Sequence, residues 1–380
     1  MANVLTDLAA DIYKAADVVG RELVGFIPAV TVNANGSERV AKGDVVRASF
    51  TRAASVVDVS ESMTIPEGTD QTVDNKTLTI SKTRAVQIPY TGEDVRHLNN
   101  GIGFETVYGD QIAQAMRALV NEIEADVATE AYKNASRAFG AAGTTPFASN
   151  FSEVAEIRQI LADNGMPMND GQASMVLNTV AGTNLRQLAQ LQKANEAGGT
   201  DLLRQGVLLD LQGLMLRESA QVQSHTKGTG ASYLVNDAAS AVGDTSIAAD
   251  GGSGTILAGD IITINGDTNK YVVNTALSGG AFAIGAPGLR AAAADDAAIT
   301  VGNSYTANVA FHRRALELAI RPLAEPPSSL ASDTMTVSDA TSGLTFTVSV
   351  YPGYHKSMIE VSVAWGVKAW KPDFIATLLG

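Results

Sequence analysis

Apolar residues recur every three or four positions along residues 104–139. Phe104, Tyr108, Ile112, Ala115, Leu119, Ile123, Val127 and Ala131 fall on one helical face. No proline or glycine interrupts Asp110 to Phe139, and Gly140 follows as a stop. At about 1.5 Å per residue this predicts a helix roughly 50 Å long, a spine rather than one layer of a compact core. A second stripe (Leu8, Ile12, Ala15, Val19 and Leu23) predicts an amphipathic helix over 6–24, with Asp7 and Asp11 in its first turn. A terminal helix this apolar is expected to dock on something.

Between these stripes the period falls to two. Val45, Val46, Phe50, Val56, Val57 and Val59 lie in β-branched runs, and Thr77–Ser81 and Ala85–Ile88 alternate. The polar stretch Ser60 to Lys76, with Pro66, Gly68 and Asn75, separates them. The pattern over 40–90 predicts two long strands with a polar tip, a hairpin that lies on a neighbouring subunit because it has little apolar surface to bury alone. Residues 151–222 predict a compact α/β unit. Ser152 caps a helix through Val154, Ile157 and Leu161 that stops at Asn164-Gly165. Met175-Val176-Leu177 is a buried strand, Leu185, Leu188 and Leu191 mark a second helix, and Leu214-Met215-Leu216 begin another strand. Near the C-terminus, Leu316, Leu318 and Ile320 favour a strand, and Leu344–Tyr351 with Ile359–Trp370 predict a hairpin. In that hairpin Ile359, Val361, Val363, Trp365 and Val367 point one way, and Glu360, Ser362 and Lys368 the other.

Composition changes at Val222. The 84 residues to Tyr305 hold 13 Gly, 17 Ala, 7 Asp and three basic residues. Short β runs at 232–235, 261–264, 271–273, 282–284 and 299–301 alternate with turn sequences such as Asn265-Gly266-Asp267, which predicts a small all-β domain. Leu214–Val222 and Ala307–Ile320 flank it and are expected to pair as neighbouring strands. The loops near Asp244, Asp250 and Asp267 are its candidate contact points.

The chain of 380 residues carries a net charge of -13, which excludes nucleic-acid capture by phosphate neutralisation but not enclosure of nucleic acid. It has no Cys, so disulfides, thiolate nucleophiles and Cys-based zinc sites are excluded. No apolar run is long enough for a transmembrane helix, and the acidic N-terminus lacks a signal peptide's basic region. GxSxG and GxxxxGK[ST] are absent, and Gly101-Ile102-Gly103 reads as a linker. The four His (His97, His225, His312 and His355) are scattered, and His312 beside Arg313-Arg314 reads as solvated or interfacial. Glu122, Glu124 and Asp126 read as a solvated helix face. Arg313, Arg314 and Arg321 form the densest basic cluster, too small to hold nucleic acid. No catalytic residue, cofactor site or metal site is expected.

Several runs carry a resemblance. They include Arg21-Glu22-Leu23-Val24-Gly25-Phe26-Ile27-Pro28, Thr91-Gly92-Glu93-Asp94, Asn121-Glu122-Ile123-Glu124-Ala125-Asp126, Ile160 to Gly165, Gln192 to Gly198, Leu203 to Leu211 and Ala364-Trp365-Gly366-Val367-Lys368-Ala369. In this order they resemble the coat protein of short-tailed bacteriophages, of podovirus type. The resemblance implies an α+β chain with the tailed-phage major capsid fold and a small all-β inserted domain. Its parts would be an N-arm (1–30), an extended loop and peripheral domain with the spine helix (31–140) and an axial domain (141–221). The inserted β domain (222–306), a return to the axial domain (307–334) and a peripheral hairpin with the C-terminus (335–380) would follow.

The implied function is a major capsid protein, not an enzyme, located in the virion and assembled in the host cytoplasm. Its implied partners are further copies in hexamers and pentamers, a scaffolding protein, a portal and a decoration protein. DNA would be enclosed without specific binding, and no membrane is involved. Some relatives join a loop Lys to a peripheral Asn. Here Lys76 lies near the loop but no Asn follows Asn308, so non-covalent shells are expected. A non-viral compartment shell of the same fold, an enzyme, or an adhesin with an accessory β domain are the alternatives.

Overall fold

The computed structural model describes residues 24–35, 38–51, 58–59, 61–64, 73–99, 104–192, 208, 210–237, 240–325, 330–338 and 343–380. The expected N-terminal helix over 6–24 lies outside this set except for Val24. The hairpin tip lies outside it apart from residues 58–59 and 61–64. The Gly101–Gly103 linker and most of 192–211 are also outside it.

In chain order the strands are β1 (Thr31–Ala34), β2 (Val45–Thr51), β3 (Val73–Thr79), β4 (Lys82–Thr91), β5 (Arg137–Phe139), β6 (Ala173–Leu177), β7 (Asp210–Leu211), β8 (Leu214–Glu218), β9 (Ser224–His225), β10 (Tyr233–Val235) and β11 (Ser246–Asp250). Then follow β12 (Ile261–Ile264), β13 (Lys270–Ser278), β14 (Ala281–Ile284), β15 (Ala298–Val301), β16 (Tyr305–His312), β17 (Leu316–Arg321), β18 (Asp333–Ser338), β19 (Thr345–Pro352), β20 (Lys356–Ala369) and β21 (Ile375–Leu379).

The long helix is real but shorter than its hydrophobic pattern. It runs Phe104–Lys133, and Arg137–Phe139 is β5, not helix. Tertiary pairing overrides helical propensity here. The N–H of Ser136 donates to the Ile375 carbonyl, and β5 inserts parallel to β21 and antiparallel to β13. Ile112, Met116, Leu119, Ile123, Val127 and Ala131 are all buried. They share one core with Val361, Val363 and Trp365 of β20 on one side and with Val309, Phe311 and Ile375 of the larger sheet on the other. The helix is therefore a bridge between two sheets, and a stripe that serves both must be wide.

The first sheet runs β1-β17-β20-β19-β18, with β4 on the opposite edge of β20. The 40–90 region is three strands rather than the expected two. β2 pairs with β3 as the hairpin, and after Ile80-Ser81 the chain enters this other sheet as β4. A further helix, Gly92–Asn99, follows β4.

The second sheet centres on β5-β21-β16-β6-β8-β7. Helices Ser152–Asp163 and Thr179–Gln187 pack on it through Val154, Ile157, Leu161 and Leu185. Ser152 is not the cap of its helix. Asn150 Oδ1 instead accepts from the Ser152 N–H at 2.9 Å. The helix expected around Leu185–Leu191 begins at Thr179 and breaks at Leu188, which is extended.

Strands β10 to β15 close into a ring, because β12 pairs with both β13 and β15. Val235, Ile247, Ile262, Val273, Phe282 and Ile284 fill its interior. Five of these six strands were legible as short β runs; β11 was not. The flanking strands β8 and β16 do not pair with each other, because β6 lies between them. The ring leaves and rejoins the sheet where β9 pairs with the start of β16 (Tyr305↔His225, Thr306↔Ser224). Within 307–334 the chain passes from the second sheet (β16) to the first (β17), and within 335–380 it returns to the second as β21.

Candidate functional site

Three junctions hold the parts of the chain together. The first ties the N-terminal segment to the spine helix. Glu124, expected on a solvated face, is 0% exposed. Its Oε1 accepts from the N–H groups of Gly25 and Phe26, both at 2.7 Å, and from Ser219 Oγ at 2.9 Å. Its Oε2 accepts from the Ile27 N–H at 2.9 Å. These are free N–H groups at the start of the short 3-10 turn Ile27–Ala29, where an acceptor is favoured. Burial pushes the carboxyl's pKa upward, against the downward pull of the four donors. Gly25 is needed for the approach, since a Cβ there would lie 2.7 Å from Val176 Cγ1 and 3.0 Å from the Glu218 carbonyl oxygen.

The second junction fixes the β2–β3 hairpin and the spine helix to opposite faces of β20. Glu122, Asp126 and Glu130 lie one turn apart on the helix. Lys82 Nζ on β4 sits 3.1 Å from Glu122 Oε1 and 2.9 Å from Asp126 Oδ1. Trp365 Nε1 donates to Asp126 Oδ2 at 2.9 Å, and the Ala369 N–H to Glu130 Oε1 at 3.1 Å. This acidic row is thus a seam rather than the solvated face expected. Glu122 is desolvated, which raises its pKa, but hydrogen bonds from Lys82 and Arg84 outweigh this and hold it below the usual value. On the other face of β20, Leu78, Ile80, Ala319 and Ala364 form a small core. A Cβ at Gly366 would fall 2.2 Å from the Thr79 carbonyl oxygen, so the hairpin backbone rests directly on the strand. Lys76 Nζ reaches the Trp370 carbonyl at 3.2 Å.

The third junction holds the ring of β10–β15. His225 Nε2 lies 2.8 Å from Asp260 Oδ1, and both residues are buried. Asp260 also accepts from the N–H groups of Gly228 and Leu257. The His225 ring packs on Tyr132 of the spine helix and on Tyr305. Arg137 adds a second tie, with Nη1 donating to Asn269 Oδ1 at 2.9 Å and Nη2 to Asn164 Oδ1 at 3.2 Å.

His312 is also buried rather than solvated. It is 2% exposed, lies 2.8 Å from Asp170, and its ring accepts from the Arg314 N–H. Arg321 leaves the expected basic cluster as well: it is buried and donates to the Asn33 carbonyl and side chain and to Glu38. Among the acidic candidates on the ring, Asp244 accepts from the Ala241 N–H and Asp267 from Asn269, so both serve their own turns; Asp250 is exposed.

Large apolar side chains are exposed on projecting segments. Val59 and Met63 are fully exposed in the β2–β3 connection, and Tyr354 is 89% exposed at the β19–β20 tip. Among the described residues no group of three or more acidic or His side chains could hold a metal ion. No described helix is long and apolar enough to cross a membrane.

The architecture has known counterparts. The chain aligns with a subunit in the capsid structure of cyanophage P-SCSP1u over 92% of its own length and 86% of that chain, at 12% identity and a TM-score of 0.50. This is the tailed-phage capsid fold. Mycobacterium phage Che8 aligns over 89% of this chain and 85% of that one, at 14% identity and a TM-score of 0.48. The mature capsid of bacteriophage PhiM1 aligns over 93% and 86%, at 9% identity and a TM-score of 0.48. No protein-family model and no curated protein sequence matches the chain.

Proposed function

We propose that the chain is the major capsid protein of a tailed bacteriophage, a structural subunit that assembles with further copies into hexamers and pentamers of an icosahedral shell. The observation that carries this reading is the capsid fold along nearly the whole chain, joined to a hairpin that stands on β20 with exposed Val59 and Met63 beyond its strands. Large apolar side chains on projecting segments favour association over a free monomer. The short-tailed subtype rests on the sequence resemblance. A scaffolding protein, a portal and a decoration protein complete the proposed set of partners, with assembly in the host cytoplasm and residence in the virion.

The net charge of -13 suits a wall that encloses DNA without binding it. The proposed division of labour gives the N-terminal segment and the hairpin to contacts between subunits, the second sheet to capsomer centres, and the ring to an accessory role. Negative-stain microscopy and sedimentation of the purified protein, alone and with a co-expressed scaffolding protein, test the reading. Closed shells or capsomers that run as a single 39.4 kDa band in denaturing gels are expected. A sharp monomer at high concentration under both conditions overturns it.

A further inference from the structure

Two short stretches carry the chain between the sheets near its C-terminus, and they lie side by side. Residues 313–315 join β16 of the second sheet to β17 of the first, and residues 370–374 lead from β20 back to β21. The Ala315 carbonyl accepts from the N–H groups of Trp370 at 2.7 Å and Lys371 at 3.4 Å. The Arg313 carbonyl accepts from Thr31 Oγ1 of β1 at 3.0 Å, and the Arg313 N–H donates to the Gln172 carbonyl, beside β6, at 3.0 Å. The turn 313–315 is thus fixed to both sheets at once.

His312 caps this turn. Its Nδ1 accepts from the Arg314 N–H at 3.2 Å. A ring nitrogen that accepts carries no proton, so the neutral ring keeps its proton on Nε2, which donates to Asp170 Oδ2 at 2.8 Å. The residue is 2% exposed, and the Phe374 ring of the second passage meets it edge-on at 6.1 Å between centroids.

We propose that His312 is a proton-operated pin: when its ring takes a second proton, the cap of the 313–315 turn is lost and the junction between the two sheets loosens. That proton goes to Nδ1, where it faces the Arg314 N–H, donor against donor. The ring is held from turning aside. Phe374 covers it, and Nε2 binds a carboxylate more strongly from an imidazolium than from a neutral ring. The backbone of the turn is what has to move. Exposed Arg313 and Arg314 sit on the same turn, and Lys371 Nζ lies 4.6 Å from the Phe374 ring centroid, so a further positive charge here adds repulsion.

Two acids belong to this place. The hydrogen bond from His312, and then that from the Gln172 N–H, hold Asp170 below its ordinary value, so it stays ionised across about pH 5 to 8, where histidines change charge. Burial pushes Asp373, in the second passage, upward, which makes it the rival source of a pH response.

Hydrogen exchange of the full chain, followed by mass spectrometry from about pH 8 to about pH 5 and corrected for intrinsic rates, tests the pin. Protection of residues 311–317 and 369–375 should fall about five- to tenfold, the worth of an N-cap, while 345–352 keeps its protection. His312→Asn supplies an amide oxygen that caps and does not titrate, so it should abolish the fall. Asp170→Asn removes the charge opposite the imidazolium and should move the fall to lower pH. No fall in the native chain, an unchanged fall in His312→Asn, or a fall lost in Asp373→Asn instead overturns the proposal. Should His312→Asn not fold, Asp170→Asn decides alone: an unmoved midpoint sinks the idea.

Discussion

Glu124 shows how much one side chain can organise. Four donors from two distant stretches of chain converge on one buried carboxyl group. Glu124→Ala would leave three backbone N–H groups buried without an acceptor, each costing about 1–3 kcal/mol. We expect a loss of at least about 3 kcal/mol in chemical denaturation, and Ser219→Ala should lose far less. Equal effects would show that the arm is held by packing alone. Glu122 makes a different, pH-dependent contribution. Its folded pKa lies below the ordinary 4.5, so its ion pairs stabilise the fold above that value and stop doing so as pH falls through the folded one. The group is about a third exposed, so the effect is under about 1 kcal/mol. Glu122→Gln should flatten the acid limb of the stability profile slightly and leave neutral pH nearly unchanged. Sequence periodicity cannot separate these two residues. They stand two positions apart on one helix, and only the neighbouring chain decides which is buried.

At the scale of elements, β20 is the strand on which two layers rest. Its odd positions face the spine helix, as the alternation predicted. Its even positions Ala364 and Gly366 are buried as well, because the hairpin base covers them. Gly366→Ala places a methyl 2.2 Å from the Thr79 carbonyl oxygen, a contact that only a backbone shift can relieve. A cost of about 1–3 kcal/mol is expected, with faster amide exchange confined to residues 73–80. Uniform exchange across β20 and the hairpin would contradict this division. The turn at Ile80-Ser81 was missed because β3 and β4 both alternate. A change of sheet leaves the period of two intact.

At the scale of the molecule, the ring of β10–β15 has its own apolar interior and meets the rest at β9–β16, His225–Asp260 and Arg137. The replaceable part is therefore 226–304 rather than the whole expected insertion 222–306, because Val222 and Tyr305 belong to the main core. Replacing 226–304 with a short Gly-Ser linker should keep the helical signal but lower folding yield or shell heat resistance, since Tyr132, His225 and Tyr305 lose their cover. Unchanged yield, particle size and melting temperature would reduce the ring to passive decoration.

What the sequence determined by itself is whatever depends on neighbours along the chain. The spine stripe, the alternation of β19 and β20, the buried run of β6 and the turn-rich β segment all follow from local periodicity and turn chemistry. The ordered runs of resemblance added the capsid fold. The tertiary structure alone decided where the spine stops, because β5 is drawn out by β13 and β21, more than a hundred residues further along the chain. It also decided which acids are buried, and that β6 separates the two strands flanking the insertion. Each of these is settled by residues more than twenty positions away, and a pattern read along the chain carries no record of such partners.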